Sequence, residues 1–413
     1  VYMMRDTHHI IFDGVSAMVF NSDMVKAYGG SMPEAEEFSA LDQALVEKDM
    51  LESEEFDKAQ EWFDTLIGES EPTSYPKSAV PDNDISGGMG RISLKADASA
   101  IRAFCKKGGI TQSNCLLASF LQLMHRLTRE KTVQITTINN GRNDIRLLGD
   151  TGMFVKTLPV VSTTPDLSES PLVFAERIQK QFLRSQDNDF YPFTSLVERK
   201  GVRPEIMFVY EGGIALDDKG SALKMESIGL SLDTAKVPLT LLVFEPSADE
   251  YEYVLEYDTS LYNRADMELL LRMMRTLSES AAQASSLRDC VMTDAAQEEE
   301  LAGIRNGESG PVEYSTFHGA MEAWSDRTPD VTALVACDRR LSYREFDDEC
   351  NRIANALIKR GVERGDRIVI LLPRRASLIT SIYGAMKTGS AYIPCAPDYP
   401  ADRIKLITEE SGA

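Results

Sequence analysis

Two of the chain's four histidines stand side by side. They open the stretch His8-His9-Ile10-Ile11-Phe12-Asp13-Gly14, which reads as a turn between a short extended segment and a helix. An imidazole, with a reference pKa of about 6.5, takes a proton near neutral pH. An α-amino group, at about 8, attacks a carbonyl only when unprotonated, so a neighbouring base can both orient it and remove its proton. Adjacent side chains on an extended segment point to opposite faces, and at most one of the two histidines reaches a given cleft. Asp13 is placed to fix the turn by pairing with an arginine, and Gly14 admits dihedrals closed to other residues. Acyl transfer is the chemistry this grouping suits. A metal ligand beside its neighbour, or a surface pair without function, are the alternatives the residues leave open. No Gly-x-Ser-x-Gly elbow supplies a serine nucleophile.

The elements that must position these residues follow from hydrophobic spacing. Val15 to Tyr28 has helical periodicity and stops at Gly29-Gly30. A polar, acidic helical stretch runs from Pro33 to Ile67, and a Pro/Gly/Asp-rich break from Glu71 to Gly90. Helices are expected at Ala98–Lys107, Thr111–Arg129, Leu172–Asp187 and Arg264–Ala284. Strands are expected at Arg91–Leu94, Val133–Ile138, Phe154–Val161, Glu205–Tyr210, Leu239–Phe244 and Tyr251–Tyr257. That alternation implies a layered α/β unit. A polar stretch with Glu298-Glu299-Glu300 and three glycines marks a boundary, giving units at 1–295 and 313–413 joined by a linker at 296–312.

Composition narrows the function classes. With 413 residues and 43% hydrophobic content, two or three compact units are expected. A net charge of -21 argues against a nucleic-acid footprint, which needs clustered cations. The longest apolar runs, Leu239–Phe244 and Ile368–Leu372, are too short to cross a bilayer, so no membrane partner is expected. The six cysteines, Cys105, Cys115, Cys290, Cys337, Cys350 and Cys395, show no metal-ligand spacing and read as reduced thiols of a cytoplasmic protein. Val1-Tyr2-Met3-Met4 reads as a strand in progress and Ile404–Glu410 as an unfinished helix, the pattern of a fragment cut at both ends.

The stretch His8–Gly14 matches the HHxxxDG signature of the condensation-domain superfamily. Asn140-Gly141-Arg142 and Thr151–Pro159 are similar to that family's "GR…GMFVNTLP" block, with Lys156 where Asn is usual, and Asn188–Phe193 resembles "HQDxPFE". Ile206–Tyr210 and Val254–Asp258 resemble the strands that follow. The resemblance covers residues 1–295 and implies a chloramphenicol-acetyltransferase-like fold, represented mostly by its C-terminal lobe. It further implies that His9 acts on the attacking amine as base or positioning group, that His8, Asp13 and Gly14 shape the motif, and that Asp13 pairs with Arg142. Arg142, Gly152, Met153 and Phe154 would contact substrate along the tunnel between lobes. Such a domain joins a donor aminoacyl or peptidyl thioester to the amine of an acceptor aminoacyl thioester. Both ride on the phosphopantetheine arms of upstream and downstream carrier domains, in nonribosomal peptide synthesis. A catalytically silent carrier-docking domain, or an epimerisation or ester-forming relative, are the alternative readings.

Farther on, Leu341–Phe346 resembles the adenylation motif "L(T/S)YxEL", and Met386–Pro394 with Pro397–Arg403 resembles "LKAGxAYVP…PxYPxxR". The resemblance implies the start of an α/β adenylate-forming domain. ATP and Mg²⁺ belong to the complete domain, because the phosphate-cradling loop of that family lies beyond these motifs.

Overall fold

A computed structural model describes residues 3–32, 38–82, 88–212, 234–307 and 310–413. The chain divides into two compact units, Val1–Arg305 and Asn306–Ala413.

In the first unit, α1 (Gly14–Tyr28), α2 (Ala40–Met50) and α3 (Glu54–Ile67) precede β1 (Met89–Asp97), α4 (Ser99–Gly108), α5 (Gln112–Thr128) and β2 (Thr132–Asn139). Then come β3 (Lys156–Thr163), α6 (Pro171–Gln186), α7 (Phe193–Lys200), β4 (Ile206–Gly212), β5 (Leu239–Ser247), β6 (Glu250–Asp258), α8 (Arg264–Ala281) and α9 (Ala295–Asn306). The six strands form one mixed sheet in the order β1-β6-β5-β4-β2-β3. β4 is parallel to β5 and β2, and the remaining pairs are antiparallel.

Period-2 alternation decides what each face does. Ile206 and Phe208 of β4, Leu239, Leu241 and Val243 of β5, and Tyr251, Tyr253, Leu255 and Tyr257 of β6 enter the main core. There they meet α5, α6 and α8, represented by Leu116, Phe120, Phe174, Leu270 and Met274. The alternate residues Met207, Val209, Thr240, Leu242 and Glu256 face a cavity instead. A smaller core joins Ala59, Phe63 and Ile67 of α3 to Leu158 of β3 and to Tyr191 and Leu196.

Several expectations change. Residues 3–7 form no strand and pair with none of the described strands. The polar stretch 33–67 is two helices, since Leu51-Glu52-Ser53 interrupts it; residues 33–37 lie outside the described residues. The helix expected at Thr111–Arg129 is α5, and it is buried on every side from Asn114 to His125, as the central helix must be when sheet and helices surround it. Helix α9 occupies most of the expected linker, up to Asn306. Its start is fixed by reciprocal hydrogen bonds of 2.9 Å between Asp294 and Gln297, and Asp294 also pairs with Arg272 at 3.0 Å.

The second unit contains α10 (Phe317–Arg327), β7 (Thr332–Val335), β8 (Arg340–Ser342), α11 (Tyr343–Lys359), β9 (Arg367–Leu371), α12 (Ala376–Lys387), β10 (Ala391–Cys395) and α13 (Ala401–Ser411). Ser342 and Glu345 form a capping box that starts α11. β9 and β10 are parallel with α12 as their crossover, the connection parallel strands require. Lys387 is almost wholly buried and binds Glu322 of α10 at 2.6 Å and Asp347 of α11 at 2.7 Å. The second adenylation-like motif thus begins with a cation that ties three helices together.

Candidate functional site

The turn before α1 is held by one carboxylate. Asp13 caps the helix, accepting from the Ser16 amide at 2.8 Å and its hydroxyl at 2.7 Å. The guanidinium of Arg142 donates to both Asp13 oxygens, at 2.8 and 3.0 Å, and the Phe154 amide donates at 3.1 Å. Both side chains of the ion pair are fully buried. Arg142 also donates through Nε to the Leu147 carbonyl at 3.1 Å and lies 4.5 Å over the Phe154 ring. Burial alone would raise the Asp13 pKa; the bonds from Arg142, Ser16 and Phe154 outweigh it and hold the carboxyl below its ordinary value. Ser16 completes the clamp: its hydroxyl oxygen accepts from the Gly152 amide at 3.0 Å, and its single proton is shared between Asp13 and the Gly152 carbonyl oxygen, 2.8 Å away.

This clamp presents the two histidines differently. Nδ1 of His9 lies 2.7 Å from the Phe12 carbonyl oxygen. A carbonyl only accepts, so Nδ1 carries the proton, and the neutral ring is left with Nε2 as its free acceptor. His8 has the opposite arrangement: its Nδ1 accepts from the Ile10 amide at 3.1 Å. Both rings are exposed, but His9 lines the cavity, of about 540 Å³, whereas His8 takes no part in its wall.

Gly14 and Val15, the first two residues of α1, line the same cavity. The expectation for Gly14 is corrected. It is absent from the positive-φ residues, and a methyl group placed there would meet nothing within 4 Å. At the first position of a helix no special dihedral is needed; the missing side chain leaves room in the cavity. Gly141 carries the demanding conformation instead, with φ +65° and no space for Cβ, which would fall 1.8 Å from the Phe154 carbonyl oxygen.

The four residues expected along the tunnel take other places. Arg142, Gly152 and Phe154 are buried in the clamp, and Met153 is exposed outside the cavity wall. Asn140 and Val155, their chain neighbours, supply the wall. Motif position alone does not separate these neighbours. The cavity's floor was missed as a site, although the alternation of Met207, Val209, Thr240 and Leu242 against the core-facing residues was the available signal. Lys156 pairs with Glu47 of α2 at 2.8 Å. Asp189, in the block before α7, accepts from Asn139 at 2.7 Å and Asn143 at 3.0 Å, so it braces both ends of the turn that carries Arg142. Burial pushes the Asp189 carboxyl up, partly offset by those two amides.

Among the described residues no cluster of three or more His, Cys, Asp or Glu is gathered to hold a metal ion, and no helix is long and apolar enough to cross a membrane.

The family model described as Condensation domain matches residues 1–302, and that described as AMP-binding enzyme matches residues 321–413. Gramicidin S synthase 2 of Brevibacillus brevis is 24% identical over 427 residues, covering 99% of this chain and 10% of that protein. Tyrocidine synthase 2 of Brevibacillus parabrevis is 27% identical over 439 residues, covering 100% of this chain and 12% of that one. The chain therefore spans about a tenth of these relatives' length. Among solved structures, a four-domain nonribosomal peptide synthetase bound to AMP and glycine aligns over 98% of this chain and 33% of its own, with a TM-score of 0.66 and 22% identity. The condensation domain of the Monacolin K polyketide synthase MokA aligns over 68% of this chain and 69% of its own, with a TM-score of 0.60 and 17% identity.

Proposed function

This chain belongs to the condensation-domain family, with the start of an AMP-binding domain behind it, and on that premise we propose that its first unit forms amide bonds between carrier-bound aminoacyl thioesters. The observation that supports this most directly is His9: an imidazole whose Nδ1 proton is committed to the Phe12 carbonyl, on the wall of a cavity large enough for the reacting ends of two substrates.

The acceptor amine donates its proton to Nε2 of His9 as its nitrogen attacks the thioester carbon. The new C–N bond forms, the C–S bond breaks, and the leaving thiolate takes up a proton. No covalent enzyme intermediate is needed, because a thiolate leaves readily once the amine has added. The two first-turn amides of α1 lack helical acceptors, and the positive end of that helix faces the cavity, where negative charge grows on the thioester oxygen. Asp13 and Arg142 do not touch substrate in this scheme. They keep the turn closed so that His9 keeps one orientation. Holding both thioesters in one cavity supplies the rest of the rate enhancement through proximity. Phosphopantetheine arms of upstream and downstream carrier domains deliver them. The AMP-binding segment marks an amino-acid-activating domain that uses ATP and Mg²⁺ when whole, and the cytoplasm is the compartment this chemistry suits.

The test is dipeptidyl-carrier formation within the full-length module, followed by mass spectrometry, with both carriers loaded. His9→Ala is expected to lower the rate by about a hundredfold or more, the usual contribution of a positioned general base. Equal product from both proteins removes His9 from an essential role and moves weight to a carrier-docking function.

A further inference from the structure

The cavity wall holds a second chemical group whose placement needs explaining. Tyr210, on β4, turns to the helix-covered face, where its hydroxyl donates to Glu245, itself paired with Arg102 of α4 at 2.6 Å. The pairing of β4 with β5 then slips: Tyr210 stands opposite Val243 and Gly212 opposite Phe244, leaving Glu211 as the extra residue of a β-bulge. Gly212 supplies the left-handed backbone, at φ +64°, that lets the strand make this turn. Glu211 continues the cavity-facing alternation of Met207 and Val209 up to the bulge, and it lines the cavity that holds His9.

The other charges on that wall are accounted for. Arg91 and Glu256 neutralise one another at 2.7 Å across β1 and β6. Lys236, on the run into β5, is exposed. Glu211 is also exposed, and among the described residues no hydrogen bond or ion pair engages it. Although its edge is open to solvent, the wall around it pushes its carboxyl above the ordinary value. The cavity-facing side of β4 thus ends, beside the bulge, in a carboxylate that no described residue neutralises.

We propose that Glu211 binds the protonated α-amine of the acceptor aminoacyl thioester and holds it beside His9, a positioning role that rests on the condensation reading. At neutral pH most of a free α-amine is ammonium, so the form that first enters the cavity is a cation. A carboxylate gives it a charge-assisted hydrogen bond; one proton is then released to solvent to give the free amine, and the imidazole takes the second as the C–N bond forms. Lys236 opposes the incoming cation, so its removal strengthens the preference.

The experiment uses the whole chain and an unreactive probe: alanyl-pantetheine in which nitrogen replaces the thioester sulfur, compared by calorimetry with the same molecule N-acetylated. Wild type is expected to bind the free amine roughly fivefold more tightly than the acetylated form. E211Q is expected to erase that difference while leaving the affinity for the acetylated probe unchanged, which also reports an intact cavity. K236M is expected to widen it. The proposal is overturned by wild-type binding without preference for the amine, by binding of neither probe, or by a full preference surviving in E211Q. A module that makes dipeptide without the preference defeats the Glu211 proposal alone. A chain that shows the preference, in a module that makes no amide, defeats the condensation reading and leaves an amine-binding cavity.

Discussion

Removing the guanidinium of Arg142 leaves the Asp13 carboxylate buried among groups that cannot replace it. Breaking such a pair from one side costs about 3–5 kcal/mol, because the remaining charge is desolvated without compensation. Arg142→Met, measured by denaturant unfolding at pH 7, is expected to lose that much, and amide formation with it, although Arg142 is nowhere on the cavity wall. The same pair sets an acid limit. Asp13 has a folded-state pKa below its unfolded value, so its contribution is complete above about pH 4 and disappears as pH falls through the folded value. The stability gap between wild type and Asp13→Asn is therefore expected to close on the acid side; a gap unchanged down to pH 2 contradicts the pairing. The sequence showed that Asp13 wanted an arginine and which arginine the family's pattern supplies. It did not show which histidine holds a proton on Nδ1, because that depends on where the Phe12 carbonyl points after the turn closes.

At the scale of elements, two glycines make opposite demands. Gly141→Ala places a methyl group against the Phe154 carbonyl in a left-handed conformation, and a loss of about 3 kcal/mol or more is expected. Gly14→Ala meets nothing and should be nearly neutral, whereas Gly14→Leu should fold as well as wild type yet raise the KM for acceptor by filling the cavity. Thermal unfolding with acceptor titrations separates the two cases. Most elements were readable because their patterns are clean: β4 and β5 are short apolar runs of strand length, and α8 repeats its apolar residues every third or fourth position. Helix α7 was missed because it is eight residues long, starts after Pro192 without a side-chain cap and shows only Leu196 to the core, although Gly201 ends it in the left-handed conformation sequence can flag. Helix α9 was read as linker because three glutamates hid the Asp294/Gln297 signature just before them. The bulge beside Glu211 depends on register between strands far apart in sequence, which no local pattern encodes, although the direction of Glu211 continues that of Met207 and Val209.

For the whole molecule, each unit closes its own apolar core: the sheet-and-helix cores of the first, and Leu341, Phe346, Cys350 and Ala376 of the second. We propose that the connection between them runs from the end of α9 to the start of α10, narrower than the polar composition of 296–312 indicates. Limited proteolysis is expected to cut first between Asn306 and Thr316, giving two resistant pieces; early cutting inside α9 argues against its membership of the first unit. The order of strands has a further consequence for how such a chain is made. β1 pairs along its whole length, Met89 to Asp97, with β6, Asp258 to Glu250. On a ribosome adding roughly 5–20 residues per second, β1 waits on the order of ten to thirty seconds for that partner to be synthesised. Through that interval its backbone edge and the apolar faces of α4 and α5 have no finished sheet to cover them, so production of the protein rests on what shields a nascent strand, as well as on the stability of the fold it joins.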